Sequence, residues 1–261
     1  RNRVLTEVHS MSDKKKKKAS FSDSLPDYLD LRPDEVEKES FLLITRELHK
    51  RKIRIPYNHA PIVLRCIHTS ADYDFAENLL FSKNAVPMAH KALLSGACIV
   101  SDTRMGLDGM NRGAIKILGG EPVCLMDDPS VTAEARLRGM TRSAVSMEYA
   151  ASRMLEARRR GEEAPYIFVV GNAPTALMAL DSLMREYEDF RPDLVVAAPA
   201  GFINVEYAKR SLLKTMEEYE VPYIMTAGCK GGSCIASSIV NALLGQIKNE
   251  IARQRQRTSV T

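Results

Sequence analysis

Short, almost uninterrupted apolar runs recur along this chain at residues 62–68, 97–102, 121–127, 166–171, 194–200 and 223–228, and helical patterns separate most of them. This alternation restricts the fold more than any other feature. Strands that are apolar on both faces must be covered on both faces, and the intervening helices supply the cover. The clearest helix is the last, in which Ile235, Ile239, Val240, Leu243, Leu244 and Ile247 repeat on one face. A second, marked by Val145, Met147, Ala151, Met154 and Leu155, runs out into the charged stretch ARRRGEE, and a third covers about residues 34–51. The pattern predicts a doubly wound α/β domain of three layers around a mainly parallel sheet. Residues 62–68 are its expected first strand, with His68 as the last residue. No internal repeat beyond the alternation is visible, and no second domain.

A chain of 261 residues with 45% hydrophobic content can bury a sizeable core. No apolar run approaches the ~20 residues needed to span a bilayer, and no secretory signal is visible, so the expectation is a soluble, cytoplasmic protein with no membrane partner. Cys66, Cys98, Cys124, Cys229 and Cys234 form no paired CxxC pattern and read as reduced, buried thiols. The net charge of +4 raises the question of nucleic acid, but residues 1–20 carry a surplus of five positive charges and the remainder is net −1. No nucleic-acid partner is expected. Residues 1–24 read as a disordered basic tail, with Met11 a candidate natural start and residues 1–10 an added segment. Lys14–Lys18 reads as a solvated run, the alternative being contact with an anionic surface. A single domain is expected over 25–250 and a flexible basic C-terminus over 251–261.

In open parallel sheets, ligands bind at the carboxyl ends of the strands, and several strand ends here carry chemistry. The second run leads into Ser101-Asp102-Thr103-Arg104-Met105. The fourth leads into Gly171-Asn172-Ala173-Pro174-Thr175, where Pro174 suits a first helical turn and free backbone N–H groups should face the loop. The fifth ends at Pro199-Ala200-Gly201-Phe202, and the sixth enters Gly228-Cys229-Lys230-Gly231-Gly232-Ser233 and then a helix. Glycines permit close approach and a helix N-terminus attracts anions. Several strand ends thus look built to receive something negative. The glycine stretch matches neither GxGxxG nor GxxxxGK[ST], Cys229 and Cys234 lack a nearby His to complete a zinc set, and Asp127-Asp128-Pro129-Ser130 reads as a helix start. No metal site is expected. In Thr141-Arg142-Ser143 a cation sits in a helix's first turn against the macrodipole, which suits a carboxylate or phosphate opposite it; a solvated Arg142 is the alternative. A single histidine closing a strand is more often a satisfied structural residue, but at the carboxyl end of a strand it also stands where ligands bind.

Taken in order, IHTSADYDFAENLLFS, SDTRM, the Thr141-Arg142-Ser143 segment, VVGNAPTAL, PAGF and KGGSCIASSIVNAL resemble the precorrin-8X methylmutase (precorrin isomerase) family over about Pro33 to Gly245. The resemblance implies a flavodoxin-like α/β/α fold, a homodimer with its sites near the subunit interface, and no cofactor. It implies a reaction that moves a methyl group from carbon 11 to carbon 12 of a tetrapyrrole in cobalamin biosynthesis, giving a corrin such as hydrogenobyrinate or cobyrinate. The family's catalytic histidine falls on His68 of the IHT motif, its serine before the first strand on Ser40, and the arginine of its TR pair on Arg142. Substrate contacts are expected from these last two, from Thr69, Arg104, Met105, Thr141, Asn172 and Ala173, and from Gly201, Lys230, Gly231, Gly232 and Ser233. The chain departs from the family at Ser70-Ala71-Asp72, at Gly106 and at Glu206-Tyr207-Ala208-Lys209.

The chemistry is consistent with that resemblance. The migration is formally a sigmatropic shift and requires no nucleophile. A proton or strong hydrogen bond at the ring C nitrogen would make the π-system more electron-poor, and an ordinary imidazole titrates in the right range to supply it. The acetate and propionate rim of the substrate accounts for electropositive strand ends without phosphate. Two other classes are a corrinoid binder or carrier that keeps the pocket without turnover, and a flavodoxin-like nucleotide or flavin protein, since fold alone does not imply function.

Overall fold

The segment at residues 62–68 is helical, which corrects the expected first strand. In the computed structural model, which describes residues 31–162 and 164–258, a helix runs from Ala60 to Ser70 with a proline in its first turn. Ile62, Val63, Cys66 and Ile67 are buried, a spacing of i, i+1, i+4 and i+5 that forms one stripe of a helix. Arg65 is half-buried and His68 is exposed. A run of apolar and β-branched residues suits either element; the burial period decides for the helix, whose first turn accommodates Pro61.

In chain order the elements are α1 (Pro33–Lys50), α2 (Ala60–Ser70), α3 (Phe75–Asn78), β1 (Leu79–Phe81), α4 (Ala85–Leu94), β2 (Cys98–Ser101), α5 (Arg104–Asp108), α6 (Arg112–Ile117) and β3 (Glu121–Val123). There follow α7 (Pro129–Arg138), α8 (Arg142–Arg159), β4 (Tyr166–Val170), α9 (Pro174–Glu186), β5 (Leu194–Ala197), α10 (Val205–Glu218), β6 (Tyr223–Thr226) and α11 (Ser233–Thr258). The chain divides into two units between Glu39 and Ser40, inside α1. In the described part of the first, the backbone N–H of Arg32 donates to Glu35 (2.9 Å) where α1 opens. The second holds the sheet. Residues 251–258, expected as a flexible terminus, continue α11. The lysine run and residues 1–10 lie outside the described residues.

The sheet has strand order β1-β6-β5-β4-β2-β3, with β2 to β6 mutually parallel and β1 antiparallel on the β6 edge. The parallel strands, taken in chain order, lie as second-first-third-fourth-fifth, the flavodoxin-like arrangement. β1 is only the three residues Leu79–Phe81, too short to announce itself. Alternate residues feed two cores: Ile99, Ile167, Val169, Val196 and Ile224 pack with α2, α4 and α11, whereas Val100, Phe168, Val170, Val195 and Met225 pack with α8, α9 and α10. Strand order reverses between β2 and β4, and the carboxyl ends of both open on the same edge. Among the described residues no helix is long and apolar enough to cross a membrane.

The end of α2 is a strained point. Ala71 adopts the left-handed conformation (φ 54°, ψ 25°) and its N–H donates to the Ile67 carbonyl. A Cβ there costs on the order of 1 kcal/mol. Ala71→Gly is therefore expected to raise stability by about 0.5 kcal/mol after the added flexibility of the unfolded chain is subtracted. Urea denaturation checks this, and a loss of stability would contradict it.

Candidate functional site at the carboxyl edge of the sheet

Asp102 organises the switch point. Its side chain is fully buried where β2 ends, and its carboxylate accepts from the backbone N–H groups of Gly171 (2.9 Å), Asn172 (2.9 Å) and Ala173 (3.0 Å). These N–H groups, read from the sequence as open to a ligand, serve the protein's own carboxylate instead. Burial raises the Asp102 carboxyl above the usual range despite the three donors. Gly171 has its own reason to lack a side chain: a Cβ there would lie 2.7 Å from Cα of Ser233.

The glycine turn after β6 is seated equally closely. The N–H of Gly232 donates to the Ala198 carbonyl (2.7 Å) and that of Gly201 to the Cys229 carbonyl (3.0 Å). At Gly231 (φ 155°) a Cβ would come within 2.2 Å of the Ala198 oxygen. Ser233 opens α11, and its hydroxyl pairs with that of Thr103 (3.1 Å), the residue whose side chain caps α5. The ends of β2, β4, β5 and β6 thereby meet the start of α11.

His68 lies in the last turn of α2, exposed, with its ring edge-on to Phe41 at 5.4 Å. Ser40, its expected partner in the site, is the half-buried neighbour of Phe41 on α1. The Thr69 hydroxyl pairs with that of Ser238 (2.8 Å), joining the end of α2 to α11. Lys230 reaches across from the glycine turn to Asp72 and Asp74, each at 2.5 Å. The α2 terminus and the glycine turn therefore share one region.

The remaining candidates form a second group. Thr141 caps α8 and its hydroxyl pairs with Thr175 (2.7 Å) at the start of α9. Arg142 is exposed and donates to the Met126 carbonyl (3.3 Å). Arg104 meets Asp127 (3.3 Å), both well exposed, and Met105 beside it is 68% exposed. Asp128 caps α7 through the Ser130 N–H (2.8 Å), as its helix-start reading requires.

Much of the positive character expected at the strand ends is already answered internally, by Asp102 for the N–H groups, Asp127 for Arg104, and Asp72 with Asp74 for Lys230. Among the described residues, Arg142 has only the Met126 carbonyl. Sequence reasoning did not single out Asp102, Asp72, Asp74 or Lys209 as site residues. A lone carboxylate closing a continuous apolar run was a usable signal for Asp102; Lys209 gave none, since it sits in an ordinary charged helix pattern. The cysteines are all free, but only Cys66 is buried, which pushes its thiol up to about 12, and Cys234 is exposed on α11. Among the described residues no three His, Cys, Asp or Glu side chains gather as a metal site.

The comparisons with known proteins concern this same stretch. The model of the precorrin-8X methylmutase family matches residues 35–246. A cobalt-precorrin-8 methylmutase of Leptospira interrogans is 36% identical over 216 residues, covering 80% of this chain and 91% of that protein. A precorrin-8X methylmutase of Pseudomonas aeruginosa is 31% identical over 208 residues, covering 80% and 93%. A crystal structure of the precorrin-8X methylmutase of Thermus thermophilus superposes with a TM-score of 0.69 at 34% identity, covering 82% of this chain and 98% of that one. Both the flavodoxin-like sheet and the motifs that close its strands fall inside the matched region, and the chain belongs to the precorrin-8X methylmutase family.

Proposed function

We propose that the protein is an isomerase of cobalamin biosynthesis that moves a methyl group from carbon 11 to carbon 12 of precorrin-8X or its cobalt counterpart. The observation that carries this reading is the family match over residues 35–246, which includes the whole sheet and every strand end described above. His68 acts as the proton or hydrogen-bond donor to ring C; its exposure at the end of α2 leaves the ring accessible to a macrocycle. Ser40, Thr69, Thr141, Arg142, Asn172, Ala173, Gly201, Gly231, Gly232 and Ser233 contact the substrate, with Arg104 and Met105 at its rim. No resident cofactor takes part, and any cobalt arrives within the substrate. The protein works as a cytoplasmic homodimer, and residues from 40 onward form its catalytic domain.

The test is an anaerobic absorbance time course of purified protein with metal-free and with cobalt-loaded substrate. Conversion of either supports the reaction, and the faster one names the natural substrate. Failure with both, alongside tight binding, would make the protein a corrinoid carrier. Sedimentation during turnover checks assembly: a fully active monomer would contradict the dimer.

Arg142 carries a prediction of its own. Arg142→Ala removes an exposed guanidinium with one long contact to a carbonyl, so folding stability should scarcely change. Loss of a charge-assisted contact to a substrate carboxylate is worth about 1.5 to 3 kcal/mol, roughly ten- to hundredfold in Kd. Titration with product at two salt concentrations checks it; unchanged and salt-insensitive binding would remove Arg142 from the site.

A further inference from the structure

Lys230 is fixed at both ends. Its ammonium lies between the carboxylates of Asp72 and Asp74, each at 2.5 Å. Its backbone carbonyl accepts from Lys209 Nζ (2.9 Å) and from the Thr226 hydroxyl (2.8 Å). Lys209 is 2% exposed and also donates to the Gly228 carbonyl (2.8 Å) and to Thr226 (2.9 Å), so the turn that presents Lys230 rests on a buried cation.

The other side of the contact is equally ordered. The backbone N–H of Asp74 donates to Asp72 Oδ1 (3.0 Å), and the N–H of Asp72 to the Ser70 hydroxyl (3.2 Å). Ser70 in turn donates to the Cys66 carbonyl (2.8 Å) inside α2. Asp72 follows His68 by four residues, across the left-handed Ala71. A helix end left to itself frays. This one is tied down by Thr69 to Ser238 and by Lys230 to the two aspartates.

Charge decides what Lys230 can do. One ammonium faces two carboxylates, so the cluster is net negative. A substrate carboxylate approaching Lys230 would meet two like charges and would have to displace both. Hydrogen bonding to Lys230 holds the Asp72 carboxyl below its usual range, and the contacts with both aspartates raise the ammonium of Lys230, so the Asp72–Lys230 pair stays ionised near neutral pH.

We infer that Lys230, through Asp72 and Asp74, is a positioning residue that holds the end of α2 so that His68 presents its imidazole in one orientation, and that it is not a ligand of the substrate's carboxylates. This rests on the methyl-migration reading for what His68 does, and on the geometry alone for the clamp. The contacts are partly solvent-exposed, so their worth lies in placement more than in stability.

Kinetics of Lys230→Met, Lys230→Arg and the double variant Asp72→Asn/Asp74→Asn separate the two roles. A clamp predicts that Lys230→Met lowers kcat about tenfold or more with KM changed less than about twofold, and that Lys230→Arg recovers most of the loss. The double aspartate variant should lower kcat in the same way although it removes no positive charge. A carboxylate ligand predicts the opposite: KM rises in Lys230→Met with kcat preserved, and KM falls when the aspartates no longer compete. A substrate-free measurement accompanies these. In a ¹H–¹³C correlation spectrum, the His68 imidazole signal, assigned by its loss in His68→Gln, should shift or broaden in Lys230→Met and in the double variant. An unmoved His68 signal or a pure KM effect would overturn the clamp. If the parent enzyme fails to turn over any tetrapyrrole, the reaction assignment falls, and the spectrum still decides the clamp.

Discussion

His68→Ala is expected to nearly abolish methyl migration, lowering turnover by roughly 10²- to 10⁴-fold, the range a positioned general acid supplies. The fold should survive, because the imidazole is exposed at the end of α2 and packs T-shaped against Phe41 with ring centroids 5.4 Å apart. Ligand affinity should survive as well, since the carboxylate contacts proposed for Arg142 and its neighbours remain. His68→Asn keeps a weak N–H donor and should retain somewhat more rate. Stopped assays with parallel binding titrations measure each of these. Near-parental turnover by the alanine variant would leave His68 without a chemical role.

The largest loss of stability is expected at Asp102. Asp102→Ala strands three backbone N–H groups at the start of α9 and empties a fully buried position at the switch point. A cost of about 3 kcal/mol follows from the unsatisfied donors alone, a fall in Tm on the order of 10 °C for a domain of this size. Asp102→Asn should be nearly as costly, because its amide N–H₂ must face one of the donors. The pH dependence has a defined sign. The folded pKa is raised by burial, so between the unfolded value, about 3.9, and the raised value the native state holds a proton that the unfolded chain has released. Stability contributed by this group is present below the unfolded value and is lost as pH rises through the folded one. Thermal melts across that window, compared with the Asn variant that lacks the titration, check it; an identical pH slope in both would show that Asp102 does not titrate there.

Five of the six expected strands are present, each within the span read from the sequence; the four inner ones are covered on both faces, are therefore almost continuously apolar and write themselves plainly into the chain, whereas β3, at the sheet edge, opens on the exposed Glu121. They are shorter than their apolar runs: β3 stops at Val123 and β6 at Thr226. The residues that trail past the ends, such as Asp102 and the glycine turn, are those that build the candidate site. The helix starts at Thr141 and Asp128 were equally legible, since capping is local chemistry between a side chain and the next turn. The error at residues 62–68 has the opposite cause. A run of seven residues with one charge fits either period, and only the packing of Ile62, Val63, Cys66 and Ile67 into the core selects the helix.

The family resemblance marked His68 and Arg142 through motifs, and their chemistry is carried by single residue types that a sequence displays. Which charges remain available was another matter. Asp102 answers N–H groups 69 to 71 positions away, and Lys230 finds Asp72 and Asp74 at separations of 158 and 156. Pairings over such distances are created by the order of strands in the sheet and by the close approach that Gly171 and Gly231 allow. The sequence by itself thus determined the layered fold and the residue types gathered at the carboxyl ends of its strands, because those depend on hydrophobic period and local capping. Tertiary structure alone decided that α2 is a helix, that Asp102 fills the expected anion site, and that Lys230 is spent on Asp72 and Asp74, because electrostatic neutralisation depends on distance in space and not on order along the chain.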